Sequence, residues 1–280
     1  MSSFEHEGRR IAYTVYGDGQ QTCVLVHGLL FTQRLHERLA AELSRRGHRV
    51  VTIDLLGHGA SDRPEELQAY SMQAFARQVV GLLDHLGAET AVVGGMSLGA
   101  NTALEVAALA PERLQGMVIE MPVLDDALVA CALAFTPPMV ATTLGKPVMQ
   151  VVQAVARRVP RLPWFPDQLV DLLRQDPGPS GAVLQGLFFA RFAPPREERR
   201  TFKAPTLIIG HEHDPVHPFS DSGTLHEELE NSRLVQASSI LELRLTPDRL
   251  TEEIATFLDE CWAAPARPAR RRSARAATPA

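Results

Sequence analysis

Short runs of β-branched and aliphatic residues alternate along the chain with longer amphipathic segments. "CVLVHG" (23–28), "RVVTID" (49–54), "AVVGG" (91–95), "GMVIEM" (116–121), "APTLIIG" (204–210) and "SRLVQAS" (232–238) read as buried strands. Between the first two, "FTQRLHERLAAELSRRG" has helical spacing and stops at Gly47. "SMQAFARQVVGLLDHLG" (71–87) sets Phe75, Val79, Leu82, Leu83 and Leu86 on one helical side. A helix also follows "AVVGG" and is stopped by Pro111, and a last one starts near Thr246-Pro247 and runs to about Trp262. Strand–helix alternation of this kind predicts an α/β protein with a parallel sheet covered on both faces.

The alternation fails between about Pro122 and Arg200. "DDALVACALAF", "KPVMQVVQAVARRV", "PDQLVDLLRQ" and "SGAVLQGLFFARF" have helical character, are cut by Pro-rich joints, and include no convincing strand. The pattern predicts a core from residues 1–121 and 201–262, a helical cap over 122–200, and a tail over 263–280. The Leu-, Met- and Phe-rich cap predicts a moderately apolar pocket.

Charge separates the tail from the body. The formal net charge of −5 is −10 for residues 1–260 and +5 for the last twenty, which carry five arginines and no acidic residue. Such an Ala-, Pro- and Arg-rich tail reads as a disordered, solvated extension. The acidic body excludes nucleic acid as the main partner. The longest apolar run, "ALVACALAF", is too short to span a bilayer. Three scattered cysteines, with no secretory h-region at the N-terminus, predict reduced thiols in a cytoplasmic protein with no membrane partner.

Candidate chemistry lies at the strand ends. "VVGGMSLGANTAL" contains Gly95-Met96-Ser97-Leu98-Gly99, a G-x-S-x-G between a strand and a helix. A turn this tight strains the serine backbone, needs small flanking residues, and presents the hydroxyl at a helix N-terminus, as a nucleophile requires. In "VLVHGLLF", a turn at His27-Gly28 would aim the Leu29 N–H at the same space as the Leu98 N–H, and two such donors suit an oxyanion. His27 itself reads as a turn-packing residue. In "DLLGHGASDRP", Gly57 and Gly59 permit a close loop that Asp62 and Arg63 tie down, with His58 structural. In "LIIGHEHDPVHPF", Asp214 follows a strand end, where an acid can orient an imidazole. "HEHDPVH" also contains zinc-ligand residue types at His211, His213, Asp214 and His217, although no metal or other cofactor is expected in this setting.

In this order, the four stretches resemble the α/β-hydrolase superfamily, in particular its small esterase- and lactonase-like members with a helical cap. The resemblance covers about residues 8–262. It implies an eight-stranded, mostly parallel sheet with the cap inserted after the sixth strand, Ser97 as nucleophile, Asp214 as acid, and the Leu29 and Leu98 amides as oxyanion hole. It also implies a histidine in the loop after the last strand, about Ser238 to Thr246, and this chain has none there. The expected position falls on or near Ile240, followed by "LELRL", whose alternation suggests an extended segment with one buried face.

A serine without a base is a poor nucleophile near neutral pH. Only His217 and His226 follow Asp214, and His226 sits in a helical, surface-like stretch. The base is therefore His217, another histidine, or absent. The expected activity is a serine hydrolase acting through acyl-Ser97 on a small hydrophobic carboxylic ester, lactone or thioester. Loss of the base would instead leave a non-hydrolytic protein, either a ligand-binding module or a lyase-like enzyme. A metal-dependent activity at the His211–His217 cluster is the third reading.

Overall fold

The computed structural model describes residues 1–263. The predicted Arg-rich tail lies outside the described residues, apart from its first position. Eight strands form one sheet: β1 (Ser2–His6), β2 (Arg9–Tyr16), β3 (Thr22–Val26), β4 (Arg49–Asp54), β5 (Ala91–Met96), β6 (Leu114–Glu120), β7 (Thr206–Gly210) and β8 (Ser232–Gln236). Their spatial order is β1-β2-β4-β3-β5-β6-β7-β8. The β1–β2 and β2–β4 pairs are antiparallel and the rest are parallel. The N-terminal hairpin β1–β2 was absent from the strands read in the sequence. Charged residues at Glu5, Arg9 and Arg10 mask its apolar alternation.

The inner strands are buried on both faces because successive side chains feed two separate cores. Val24, Val26, Val51, Ile53 and Val93 pack with α2 (Met72–His85) and α3 (Leu98–Leu109). Cys23, Leu25, Val50 and Val92 pack instead with α1 (Glu37–Arg45) and with the last helix, Asp248–Ala263. Helix α2 starts where expected because Ser71 Oγ accepts the Ala74 N–H at 3.1 Å, an N-cap bond.

Between β6 and β7 the chain is helical, with α4 (Leu128–Thr143), α5 (Lys146–Ala156), α6 (Trp164–Arg174), α7 (Pro177–Phe188) and a single turn α8 (Arg196–Arg199). α4 packs on α7, and α5 on α6. One of the Pro-rich stretches expected to cut the helical runs does not do so, and its Pro137 and Pro138 both lie inside α4. Proline removes a backbone donor, and here the affected turns lie on a largely solvent-facing helix, with Leu133 73% exposed.

The helical segment between β6 and β7, the expected cap, is tied to the core at both ends. Asn101, one turn into α3, donates to the carbonyls of Val123 and Phe192, each at 2.7 Å, and accepts the Val123 N–H at 3.0 Å. Asp221 accepts the N–H groups of Leu124, Asp126 and Ala127. Further out, the fully buried Asp167 carboxylate binds Arg34 of the core and Arg161 and Arg174 of the cap. Those guanidiniums hold it well below the usual carboxylate range despite its burial.

After β7 come α9 (Phe219–Glu228), β8, α10 (Glu242–Leu245) and α11 (Asp248–Ala263). The "LELRL" segment expected to be extended is a helical turn, with Arg244 N–H and Leu245 N–H both bonded to the Leu241 carbonyl. Burial follows the turn rather than a two-residue period. Glu242, Leu243 and Arg244 are all inside while Leu245 is 59% exposed. The two charged residues tolerate this because each is paired. Glu242 binds Arg249 and the Ser238 hydroxyl, and Arg244 binds Glu120 at 2.7 Å. No single helix among the described residues is long and apolar enough to cross a membrane.

Candidate active site

Ser97 occupies the turn between β5 and α3 with φ 54° and ψ −107°, a left-handed backbone rare outside glycine. The flanking glycines are steric necessities. A Cβ on Gly95 would lie 2.1 Å from the Val26 carbonyl oxygen, and one on Gly99 would lie 2.0 Å from the same atom. The serine N–H donates to the Glu120 carbonyl at 2.9 Å, which pins the elbow to the neighbouring strand. Its hydroxyl stands at the N-terminus of α3, whose dipole favours developing negative charge.

His217 Nε2 lies 2.9 Å from Ser97 Oγ, and its Nδ1 lies 2.9 Å from Asp214 Oδ2. A carboxylate can only accept, so Nδ1 carries the proton and Nε2 is the acceptor for the serine hydroxyl. Asp214 Oδ1 meanwhile accepts the backbone N–H groups of Val216 and His217, closing the loop that presents the imidazole. Burial raises the Asp214 acid, but the His217 ring and these N–H groups outweigh it and hold the carboxyl below its ordinary value.

The other histidines lie elsewhere. His27 is fully buried, donates from Nδ1 to the Gly28 carbonyl, and accepts the Leu55 N–H at Nε2. Burial lowers its pKa and keeps it neutral, so it braces two loops. His58 bonds the Leu56 carbonyl and is likewise held neutral by burial. His226, on α9, bonds Ser232 Oγ at the surface. His211 is directed at the Ser238 carbonyl, and among the described residues no group of three or more His, Cys, Asp or Glu is arranged to hold a metal ion. The Asp62 carboxylate takes the Arg10 N–H, and Arg63 donates to the Gly59 carbonyl, so both tie down the 54–64 loop.

Gly28 to Phe31 form a tight turn closed by a 3.0 Å bond from Phe31 N–H to the Gly28 carbonyl, with Leu30 at φ 62°. This turn brings Leu29 to the cavity that contains Ser97 and His217. The cavity holds about 370 Å³ and is walled mainly by apolar groups, among them Phe31, Met96, Phe135, Met149 and Leu172. A second hollow of about 190 Å³ shares Leu29 and Phe135 with it. A larger surface hollow of about 1290 Å³ is lined by Gly87, Pro111 and Lys203, near the N-terminal ends of the strands. The Ser97 cleft lies at their carboxyl ends, where open α/β sheets place their chemistry.

Sequence reasoning missed several contributors. Asn101 and Asp221 look like ordinary helical polar residues until the cap hinges are seen beside them. Gln175 lines the cleft and donates its amide to the Leu30 carbonyl, a contact 145 positions away with no local signal. Arg244 was visible only as one charge in an alternating run.

The fold, the strained serine and its imidazole–carboxylate row define a member of a large class of α/β enzymes. A family model described as the α/β hydrolase fold matches residues 22–172. The chain belongs to that family. It is 26% identical over 236 residues to the AB hydrolase superfamily protein YisY of Bacillus subtilis, covering 76% of this chain and 81% of that protein. It is 38% identical over 108 residues to the dihydrolipoyllysine-residue acetyltransferase component of an acetoin cleaving system from Pseudomonas putida. That match covers 36% of this chain, which spans only 26% of the relative's length. An enol-lactonase from Burkholderia xenovorans has the same fold, with a TM-score of 0.74, 21% identity, and coverage of 92% of this chain and 100% of its own.

Proposed function

We propose that this enzyme is a serine hydrolase that cleaves a carboxylic ester, lactone or thioester through an acyl-Ser97 intermediate, with His217 as base and Asp214 as its orienting acid. The observation that carries the reading is the unbroken row Ser97 Oγ, His217 Nε2, His217 Nδ1, Asp214 Oδ2, with both outer gaps at 2.9 Å. Ser97 Oγ attacks the carbonyl carbon while His217 Nε2 takes its proton, and Asp214 stabilises the resulting imidazolium. The Leu29 and Leu98 N–H groups receive the oxyanion. Collapse breaks the bond to the alcohol or thiol, which leaves with the proton from Nε2. Water then attacks the acyl-serine, giving up a proton to the same nitrogen, and the acid leaves as the acyl–Oγ bond breaks and Nε2 returns that proton to Ser97 Oγ.

The apolar cleft of about 370 Å³ suits a small hydrophobic acyl or cyclic substrate. Three buried free cysteines fit work in a reducing compartment, the cytoplasm. A fluorophosphonate probe followed by intact-mass measurement tests the reading. One adduct per chain is expected on Ser97, with none on the Ser97→Ala variant. An unlabelled wild-type chain would sink the acyl-enzyme mechanism.

A further inference from the structure

Helix α4 is apolar on every side, yet most of it is uncovered. None of its sixteen residues is charged, and only Cys131 and Thr142 are buried. A helix that is hydrophobic all round normally lies in a core or against lipid. Along one stripe, Val129, Leu133, Val140 and the adjoining Leu144 are between 45% and 84% exposed. Val148, Val151 and Val155 form a matching exposed stripe on one face of α5. From 128 to 156, every exposed position is apolar except Gln150. Both helices pack on α7, whose Ala182, Val183 and Leu187 belong to the main core, so the exposed stripes are turned away from the body.

Charge marks the same face. Residues 1–260 carry a formal −10, but residues 127–166 have Lys146, Arg157, Arg158 and Arg161 and no acidic residue. Lys146 is paired with Glu65 at 3.0 Å. Arg161 shares Asp167 and Asp171 with Arg34 and Arg174, a cluster with one guanidinium in excess. Arg157 and Arg158 directly follow α5, are exposed, and have no carboxylate partner among the described residues. An apolar face bordered by such arginines is complementary to an anionic bilayer. The acyl boundary takes the aliphatic side chains and the phosphates take the guanidiniums. A two-fold contact between copies would set this face against itself, with no acidic group to meet either pair of arginines. Neither helix can span a bilayer, since α4 is about 24 Å long against a hydrocarbon core of about 30 Å. The pair is also bent by 95° and so cannot act as one span.

We propose that the α4–α5 face docks this protein on the surface of an anionic lipid bilayer. Leu133, Leu144 and Val151 enter the boundary between headgroups and acyl chains, and Arg157 and Arg158 meet lipid phosphates. The expectation of no membrane partner rested on the lack of a spanning run, and a face that lies on the bilayer needs none. The other side of the same helices lines the Ser97 cleft through Phe135, Pro138 and Met149, so docking brings the cleft close to the lipid. The docking itself does not depend on the hydrolase reading.

The test sediments the full-length chain with vesicles of phosphatidylglycerol and phosphatidylcholine in equal parts, and with phosphatidylcholine alone. Tighter binding to the mixed vesicles is expected, weakening as salt is added. Arg157→Ser and Arg158→Ser should each weaken it about five-fold. Leu133→Glu with Leu144→Glu should weaken it by about a hundred-fold or more, because two leucines then stay out of the acyl boundary. Val148→Ser with Val151→Ser repeats the test on α5. All these positions are exposed, so thermal melts of the variants should match wild type. Sedimentation equilibrium without vesicles runs alongside, with a monomer expected. No binding to the mixed vesicles would overturn the proposal. Binding that both apolar pairs retain would assign it to the Arg-rich residues 267–275 and overturn it equally. A dimer that Leu133→Glu with Leu144→Glu dissociates would show that a second copy covers the face instead.

Discussion

His217 follows Asp214 by three residues, and its Nδ1 lies 2.9 Å from the Asp214 carboxylate. The proposed acid and base thus share one loop after β7, and the loop after β8 supplies no histidine. The Asp214 side chain does two jobs through its two oxygens: one caps the backbone of the loop, and the other holds the imidazole. A base so close in sequence to its acid can still reach the serine, because β7 is separated from β5 by β6 alone.

Removing the imidazole is expected to lower kcat/KM for ester hydrolysis by roughly 10³–10⁴-fold in His217→Ala. Ile240→Ala, at the position where the family pattern would put histidine, should stay within about two-fold of wild type. Steady-state kinetics on p-nitrophenyl butyrate check both, and an active His217→Ala would remove His217 from the mechanism.

Asp214→Asn keeps the shape but offers an amide where a carboxylate oriented the ring. A loss in kcat of about 10⁴-fold is expected, as for a mis-set tautomer. The variant should also lose the stability that Asp214 provides at neutral pH. Its folded pKa is depressed, so its contribution is present above the unfolded value and fades as pH falls through the folded one. Urea melts at pH 7 and pH 3 measure the difference.

Glu242 clamps the loop that lacks a histidine, and its carboxyl is held at about 2, its bonds to Arg249 and Ser238 outweighing the opposing effect of burial. Its stabilisation is complete above the ordinary glutamate value of 4.5 and disappears as pH falls through about 2. Glu242→Gln should therefore cost about 1–2 kcal/mol at pH 7. The gap to wild type should narrow below about pH 4.5 and close near pH 2. A gap that stays constant over that range would contradict the pairing.

Arg244→Ala would leave the Glu120 carboxylate buried and unpaired close under the Ser97 turn. A destabilisation of about 3–5 kcal/mol is expected, recovered largely by the paired change Glu120→Gln with Arg244→Met. Thermal melts of Glu120→Gln, Arg244→Met and their double variant give the coupling directly.

Asn101 bonds both hinges of the cap, so Asn101→Ala should free one end or both. Loss of these buried bonds is expected to cost about 2–3 kcal/mol, and KM should rise more than kcat falls as the cap wall loosens. Limited proteolysis read by mass spectrometry should cut first within 122–194. Equal protection in both proteins would argue against the tether.

Much of the frame was legible because its causes are local. The β-branched runs could only be buried strands, and the glycines around Ser97 announced a turn that tolerates no Cβ. "LELRL" misled because a two-residue alternation of charge and leucine fits an extended strand as well as it fits one helical turn with paired charges. Neither Glu120 nor Arg249, the partners that made burial possible, can be recognised from within that segment. Pro137-Pro138 misled in a related way, since a solvent-facing helix tolerates a proline pair that would break a packed one.

Local pattern, taken alone, determined the α/β class, the place where strand–helix alternation gives way to helices, and the strained seat of Ser97, since each depends on residues within a few positions of one another. Only the tertiary structure decided which histidine meets the serine. His217 lies 120 positions from Ser97, and the 2.9 Å between them depends on strand order, on the fold of the Asp214 loop, and on the elbow meeting both at one end of the sheet. The same holds for Gln175, whose side-chain amide meets the Leu30 carbonyl, and no periodicity in the chain marks that contact.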